Sequence, residues 1–167
     1  MTRPGDGFPQ WGVHDDFNVQ QDRFAAMTVL SRCRPLVVPL APTIEVTLRR
    51  ADLPRLRSGG RLACLLADQA ERHDRDNDRG SIGRAHPGLP DDLLNFQYDP
   101  LACAVAAGWD GVEIKEIPTR LELRQDRLWM TPEEGEPALR VVTSVRAEEF
   151  REAWIEAVLR ASPGPTP

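Results

Sequence analysis

Two aspartates stand where a helix is expected to begin, and each has two interpretations. Asp99 belongs to the segment NFQYDPLACAVAAG, residues 95–108, where it precedes Pro100 and a run of small apolar residues. Asp at an N-cap followed by Pro at the first helical position is a common helix start. A carboxylate held at such a position is also suited to bind a metal ion or a substrate. Taken alone, the pattern favours the cap and leaves the ligand role open.

The second aspartate, Asp16, lies in the polar segment HDDFN, residues 14–18. Asp and Asn side chains readily bond nearby backbone groups, so an Asx-turn with a helix cap accounts for the segment. In an extended segment, however, residues two apart point to the same side. Asp16 and Asn18 would then present a carboxylate and an amide to the vicinal hydroxyls of a sugar.

The segment HDRDNDRG, residues 73–80, has the aspartate spacing of a calcium loop but lacks its key residues. A loop starting at Asp74 would carry Arg79 instead of Gly at its sixth position and Ala85 instead of Glu at its twelfth. The segment therefore predicts a solvated charged loop. The sequence offers no Ser-His-Asp or Cys-His arrangement, and no glycine-rich phosphate loop follows a strand.

The composition excludes several classes of function. Of the 167 residues 41% are hydrophobic and 28% charged, and the net charge of -5 argues against a surface for nucleic acid or an anionic membrane. No apolar run approaches the roughly 20 residues of a membrane span, and the N-terminus has no apolar signal-peptide core. Cys33, Cys64 and Cys103 form no CxxC pair, and we interpret them as buried free thiols. These features predict a cytoplasmic protein.

Helical and strand-like patterns alternate through the first two thirds of the chain. The predicted helices are residues 22–33, 51–57, 62–73, 99–108 and 147–160. Residues 36–40 indicate a strand, residues 74–92 predict a long loop, and residues 125–127 predict a hairpin turn between strands. We therefore predict an α/β fold with a mostly parallel sheet flanked by helices, followed by a C-terminal hairpin and a closing helix.

Three domain-level regions are expected. Residues 1–14 are predicted to form an N-terminal loop because they are rich in Gly and Pro and show no periodicity. Residues 15–161 are predicted to form the folded region, and residues 162–167 a disordered tail.

In their order along the chain, several segments resemble the C-terminal half of the inosine–uridine-preferring nucleoside hydrolases. DFN at residues 16–18, with Gln-Asp at residues 21–22 and an alanine-containing helix after it, is similar to the family's Glu-Phe-Asn segment and the Asp-Pro-Glu-Ala-Ala that follows. VVPL at residues 37–40 is similar to the family's next strand. Thr43 and Asp-Leu at residues 52–53 are similar to the Leu-Thr-x-x-Asp-Leu pattern that follows it. YDPLA at residues 98–102 resembles the family's His-Asp-Pro-Leu-Ala motif.

The resemblance implies calcium-assisted hydrolysis of the N-glycosidic bond of ribonucleosides, with a nucleoside or ribose as the partner. It carries Asp99 over as a Ca²⁺ ligand, and Asp16 and Asn18 as ribose-binding residues. Tyr98 stands where many members have the histidine that protonates the leaving base, which makes it a possible leaving-group acid. An unperturbed pKa near 10 makes tyrosine a weaker acid than imidazolium. The loop at residues 74–92 would lie over the nucleobase.

The chain also departs from the family. Asp16 replaces the usual Glu, which shortens its reach by one methylene, and the family's N-terminal Asp-x-Asp-x-x-x-Asp-Asp cluster has no counterpart. That cluster supplies the other calcium ligands and the catalytic base. We therefore expect a truncated form with little activity alone, whose partner is a second copy in a homo-oligomer or a missing N-terminal half. The alternative is a non-catalytic binding or interaction module that retains part of the fold.

Overall fold

The computed structural model describes residues 5, 7–11 and 16–161. Residues 5 and 7–11 contain no helix or strand. The other residues of the predicted N-terminal loop, and the predicted tail at residues 162–167, lie outside the described residues.

The α-helices are α1 (Phe17–Gln21), α2 (Arg23–Cys33), α3 (Leu40–Thr43), α4 (Leu53–Arg57), α5 (Arg61–Asn77), α6 (Arg79–Ala85), α7 (Tyr98–Ala106) and α8 (Ala147–Ala161). The β-strands are β1 (Leu36–Val37), β2 (Thr47–Arg49), β3 (Leu93–Phe96), β4 (Val112–Arg124), β5 (Arg127–Pro132) and β6 (Ala138–Val145), and a 3₁₀ helix, Arg50–Asp52, precedes α4.

The larger sheet has four strands in the order β1-β6-β4-β5. Among the described strands only β1 and β6 run parallel, because β4 is antiparallel to both β6 and β5. The α/β prediction is confirmed as a mixed fold, whereas the prediction of a mostly parallel sheet is wrong. Short connections in the last third explain the difference. Gln125 and Asp126 close the β4–β5 hairpin with φ of 51° and 60°, and a two-residue turn of this kind joins antiparallel strands.

The strands β2 and β3 form a separate two-stranded antiparallel sheet. Leu94 of β3 is fully buried, and the backbone N–H of Gln97 donates to the carbonyl of Val46 over 2.9 Å. Tyr98 therefore follows a strand whose position is fixed by its neighbour and by the core. This sheet places the start of α7.

The loop prediction for residues 74–92 is largely wrong, because α5 runs into this segment and α6 lies within it. Asp78 separates the two helices in the left-handed conformation, with φ of 47°. The carboxylate of Asp74 accepts a hydrogen bond from the backbone N–H of Gly80 (2.8 Å) and pairs with Arg50 (2.7 Å). Arg75, Asp76 and Arg84 are exposed on these helices, and composition alone does not distinguish such helices from a loop.

The closing helix α8 covers the core with the face that the sequence predicted. Phe150 and Ile155 are 1% and 0% exposed. The partly buried residues that extend this face are Trp154, Val158 and Leu159. Burial of this apolar stripe is the main contribution of α8 to stability.

An ion pair joins α8 to the 3₁₀ helix. Nη1 of Arg151 donates to Oδ1 of the buried Asp52 over 2.6 Å. The other oxygen of Asp52 accepts from the backbone N–H of Arg49 over 2.9 Å. Both carboxylate oxygens are therefore bonded, so the buried charge is compensated.

The cysteine prediction is partly wrong. All three are free thiols, but Cys33 and Cys103 are exposed and Cys64 is half-buried.

In residues 5, 7–11 and 16–161, no helix combines the length and the hydrophobicity that crossing a membrane requires.

Candidate functional site

A cavity of about 560 Å³ lies between α1, α3 and the first turns of α7. Its polar wall consists of Asp16, Asn18, Thr43, Tyr98 and Asp99. The structure therefore brings together the four residues that the sequence indicated for contacts with ribose, metal and leaving group. These residues come from two segments that are far apart in the chain.

Asp16 is the N-cap of α1. Its Oδ1 accepts a hydrogen bond from the backbone N–H of Val19 over 3.2 Å, so the predicted cap is confirmed. The predicted extended segment is wrong, because Asn18 lies within α1. Asp16 is half-buried and Asn18 exposed, and both still line the cavity. A helix start, not a strand, places the carboxylate and the amide on the same side.

Asp99 lies in the first turn of α7 and is exposed. The prediction that it caps this helix is wrong, because α7 begins at Tyr98 and its N-cap is Gln97. A carboxylate in the first turn remains favourable, since the N-terminal end of a helix carries partial positive charge. Gly108 lies just beyond the helix with φ of 93°, which suits a helix C-terminus.

Tyr98 is half-buried between the cavity and the core. Its ring stacks on Phe96 with centroids 5.4 Å apart. Burial raises the pKa of Tyr98 to about 12, and nearby Arg79 opposes this only in part. A phenol with such a pKa is a poor proton donor at neutral pH, so the surroundings of Tyr98 do not favour a role as leaving-group acid.

The pKa of Tyr98 can be measured directly because the chain contains a single tyrosine. We expect its absorbance titration to have a midpoint of about 12 in the folded protein and near 10.0 in the denatured chain. Since the folded pKa is the higher one, the folded state holds this proton more tightly. The stability that Tyr98 contributes is then fully present below pH 10.0 and is lost as the pH rises towards about 12.

Tyr98→Phe is the control for this titration, because it should remove both the absorbance change and the associated loss of stability. Tryptophan fluorescence recorded in parallel reports whether the fold persists at each pH. A midpoint near 10.0 while the fluorescence is still native would contradict the burial of the phenol.

The apolar wall of the cavity consists of Trp11, Phe17, Val38, Leu40 and Ala102. Trp11 is half-buried and meets Phe96 edge-on with centroids 5.6 Å apart. Phe17 is 70% exposed, which places its ring at the cavity mouth. The sequence did not indicate Trp11 as a site residue, and the available signal was a large aromatic side chain in a Gly- and Pro-rich segment without periodicity.

The cavity does not form a complete calcium site from the described residues. Asp16 and Asp99 are the only carboxylates among the described residues that line it. The described part of the chain holds no group of three or more His, Cys, Asp or Glu residues that could bind a metal ion. Calcium takes about six to eight oxygen ligands, so these residues do not suffice. The ligand role of Asp99 stays a prediction.

Hydrogen bonds from one side chain, Gln20, attach the helix α1 to the edge strand β5, and Val19 packs against the core cluster that contains Leu128 and Met130 of that strand. Nε2 of Gln20 donates to the carbonyl of Leu128 over 2.9 Å, and the backbone N–H of Leu128 donates to Oε1 of Gln20 over 3.1 Å. The glutamine amide thus bonds the strand edge as a neighbouring strand would. It positions α1, and with it Asp16 and Asn18.

The chain matches no model of a known protein family and no curated protein. The resemblance to the nucleoside hydrolases therefore rests on the segments described above.

Proposed function

We propose that the chain is a nucleoside hydrolase-like protein whose cavity binds the ribose of a ribonucleoside. Acting alone, it hydrolyses the N-glycosidic bond slowly or not at all. The observation that carries the proposal is the common cavity of Asp16, Asn18, Tyr98 and Asp99. A cavity lined by residues of these types, which come from distant segments, suits the binding of a small polar ligand better than the binding of another protein.

The polar wall suits a vicinal diol. Carboxylates accept hydrogen bonds from hydroxyl groups, and the amide of Asn18 can both donate and accept. Within the described residues, the carboxylate of Asp99 has no hydrogen-bond or ion-pair partner. It is therefore available to ligand hydroxyls, whereas Asp16 already accepts one bond from the backbone of α1.

The apolar wall suits a flat heterocycle. Trp11 and Phe17 present aromatic rings to the cavity, and aromatic rings stack favourably on one another. The volume of about 560 Å³ lies in the range of about 300–1,000 Å³ that is typical of small-molecule pockets. A nucleoside, with one polar and one aromatic half, matches both walls.

The same residues favour binding over catalysis. Hydrolysis needs a group that activates water and a group that protonates the leaving base. The high pKa of Tyr98 makes it a weak donor, and two carboxylates form no calcium site on their own. We therefore propose no step that depends on calcium.

Isothermal titration calorimetry of the full chain with inosine, uridine and ribose tests the proposal. We expect binding of at least one nucleoside, and a dissociation constant raised at least about tenfold by Asp99→Asn or Asn18→Ala. Asp99→Asn replaces one acceptor oxygen and the negative charge by an N–H donor, and Asn18→Ala removes the amide altogether. Asp110→Asn is the matched control, because the side chain of Asp110 is 94% exposed and lies outside the cavity lining. It should leave the affinity unchanged.

The binding proposal fails if none of the three ligands binds, or if Asp110→Asn weakens binding as much as Asp99→Asn. Measurement of ribose release from both nucleosides, with and without calcium, tests the catalytic part. We expect little or no release above the uncatalysed rate. Calcium-dependent release that survives Asp99→Ala would contradict the assignment of Asp99.

A second candidate function is a non-catalytic interaction module. Leu62 and Leu65 on the outer side of α5 are 45% and 53% exposed, whereas Ala63 and Ala67 on the inner side are buried. Exposed leucines on one helix favour a contact with another protein. This candidate gains support if no nucleoside or ribose binds.

A further inference from the structure

The long strand β4 pairs with different neighbours along its two halves. β6 lies beside residues 112–118 and β5 beside residues 119–124, on opposite edges of β4. Pairing on the β5 side ends at Pro118, whose carbonyl accepts from the backbone N–H of Glu133 over 2.9 Å. Within residues 16–161, no strand pairs with residues 112–117 on that side. We call this side of residues 112–117 the free edge.

The backbone groups of alternate residues point towards the free edge. The N–H of Thr119 donates to the carbonyl of Pro137, on the β6 side, whereas the carbonyl of Pro118 points to the β5 side. Because successive residues of a strand alternate in direction, Glu116 and Ile114 direct their N–H and C=O groups to the free edge. An unpaired row of this kind readily accepts another strand.

The side chains along the free edge are charged in an alternating pattern. Glu113 and Lys115 lie on the same face of β4, with a carboxylate oxygen and the Nζ atom 3.2 Å apart. Their side chains are 54% and 58% exposed, and Ile114 between them is 40% exposed. A partner strand would therefore meet a charge of each sign beside an accessible apolar side chain.

We propose that a second copy of this chain pairs antiparallel with the free edge, with Ile114 opposite Ile114 of the second copy. This register sets Glu113 of each copy opposite Lys115 of the other copy, so two cross-strand ion pairs form. The two residues occupy non-hydrogen-bonded positions, where opposite side chains lie closest. Two identical edges related by a two-fold axis pair in the antiparallel sense, and the dimer joins both four-stranded sheets into one.

Neighbouring registers are less favourable. A shift that sets Lys115 opposite Lys115 brings like charges together at the centre of the contact, which is destabilising. A shift by one residue also fails. Each residue whose backbone N–H and C=O point to the free edge then lies opposite a residue whose N–H and C=O point away from it, so the hydrogen bonds between the two strands are lost. The charges of Glu113 and Lys115 therefore select the register with Ile114 on the two-fold axis.

Sedimentation equilibrium over a dilution series tests this dimer, using the full chain, Lys115→Glu, Glu113→Lys and an equimolar mixture of the two variants. We expect the full chain to dimerise. Each variant alone should raise the dissociation constant at least about tenfold, because like charges then face each other twice. The mixture should recover the association, because one strand is then acidic and the other basic at these positions.

Arg160→Glu is the matched control, because it makes the same charge change on an exposed residue of α8, 70% exposed and away from the sheet. It should leave the dissociation constant unchanged, and circular dichroism confirms that each variant is folded. A full chain that is monomeric throughout overturns the proposal. So does a dimer that Lys115→Glu leaves intact, or a mixture that fails to associate.

Discussion

Replacing Phe150 with alanine is expected to lower the free energy of unfolding by about 3–5 kcal/mol. The side chain is 1% exposed, packs with Val46 and Leu101, and meets Trp109 edge-on with ring centroids 5.2 Å apart. Alanine removes this buried area and leaves a cavity where helix and strand side chains converge. Urea unfolding followed by tryptophan fluorescence measures the change.

Phe24→Ala is the matched control, because Phe24 is 63% exposed on α2. The same chemical change should there alter the free energy of unfolding by no more than about 0.5 kcal/mol. Similar losses in the two variants would contradict the position of α8 in the core.

Replacing Asp52 with alanine is expected to destabilise the fold by about 3 kcal/mol, the lower end for breaking a buried ion pair. The change leaves Nη1 of Arg151 and the backbone N–H of Arg49 without their acceptor. The loss stays at the lower end because Glu148 and Glu152 still pair with Arg151. Urea unfolding measures this loss as well.

Asp52→Asn separates the charge from the hydrogen bonds, because the amide oxygen can still accept one of them. We expect it to cost less than Asp52→Ala. Asp110→Ala, with a 94% exposed side chain, should cost almost nothing. An Asp52→Ala variant as stable as the Asp110→Ala variant would show that the pair does not hold α8 to the rest of the fold.

The elements that the sequence predicted correctly are those with strong local signals. The apolar spacing of Phe150, Trp154 and Ile155 specifies the inward face of α8, and turn residues such as Gln125 and Asp126 specify the hairpin. The direction of the strands was not predictable in this way. β1 has two residues, and its pairing with β6 joins segments from opposite ends of the chain.

In the candidate site, too, the sequence predicted some features and missed others. Residue type and order indicated Asp16, Asn18, Tyr98 and Asp99, and the fold brings them to one cavity. The position of each residue relative to its helix start could not be predicted from the sequence. Helix ends depend on a few hydrogen bonds and shift easily by a residue or two. Trp11 escaped prediction because its position at the cavity depends on contact with Phe96, which no local pattern reports.

The two sides of the cavity are anchored very differently. α1 has five residues, none of them buried, and so short a helix is not stable by itself. It depends on the amide of Gln20, bonded to the hairpin strand, and on the partly buried Val19, which packs against the same strand. α7, across the cavity, is anchored by Leu101, which is 0% exposed. The α1 side can therefore open by local unfolding at a free energy well below that of global unfolding. A ligand that uses both sides must also order α1, so its affinity depends on the hairpin edge as well as on the groups that it contacts.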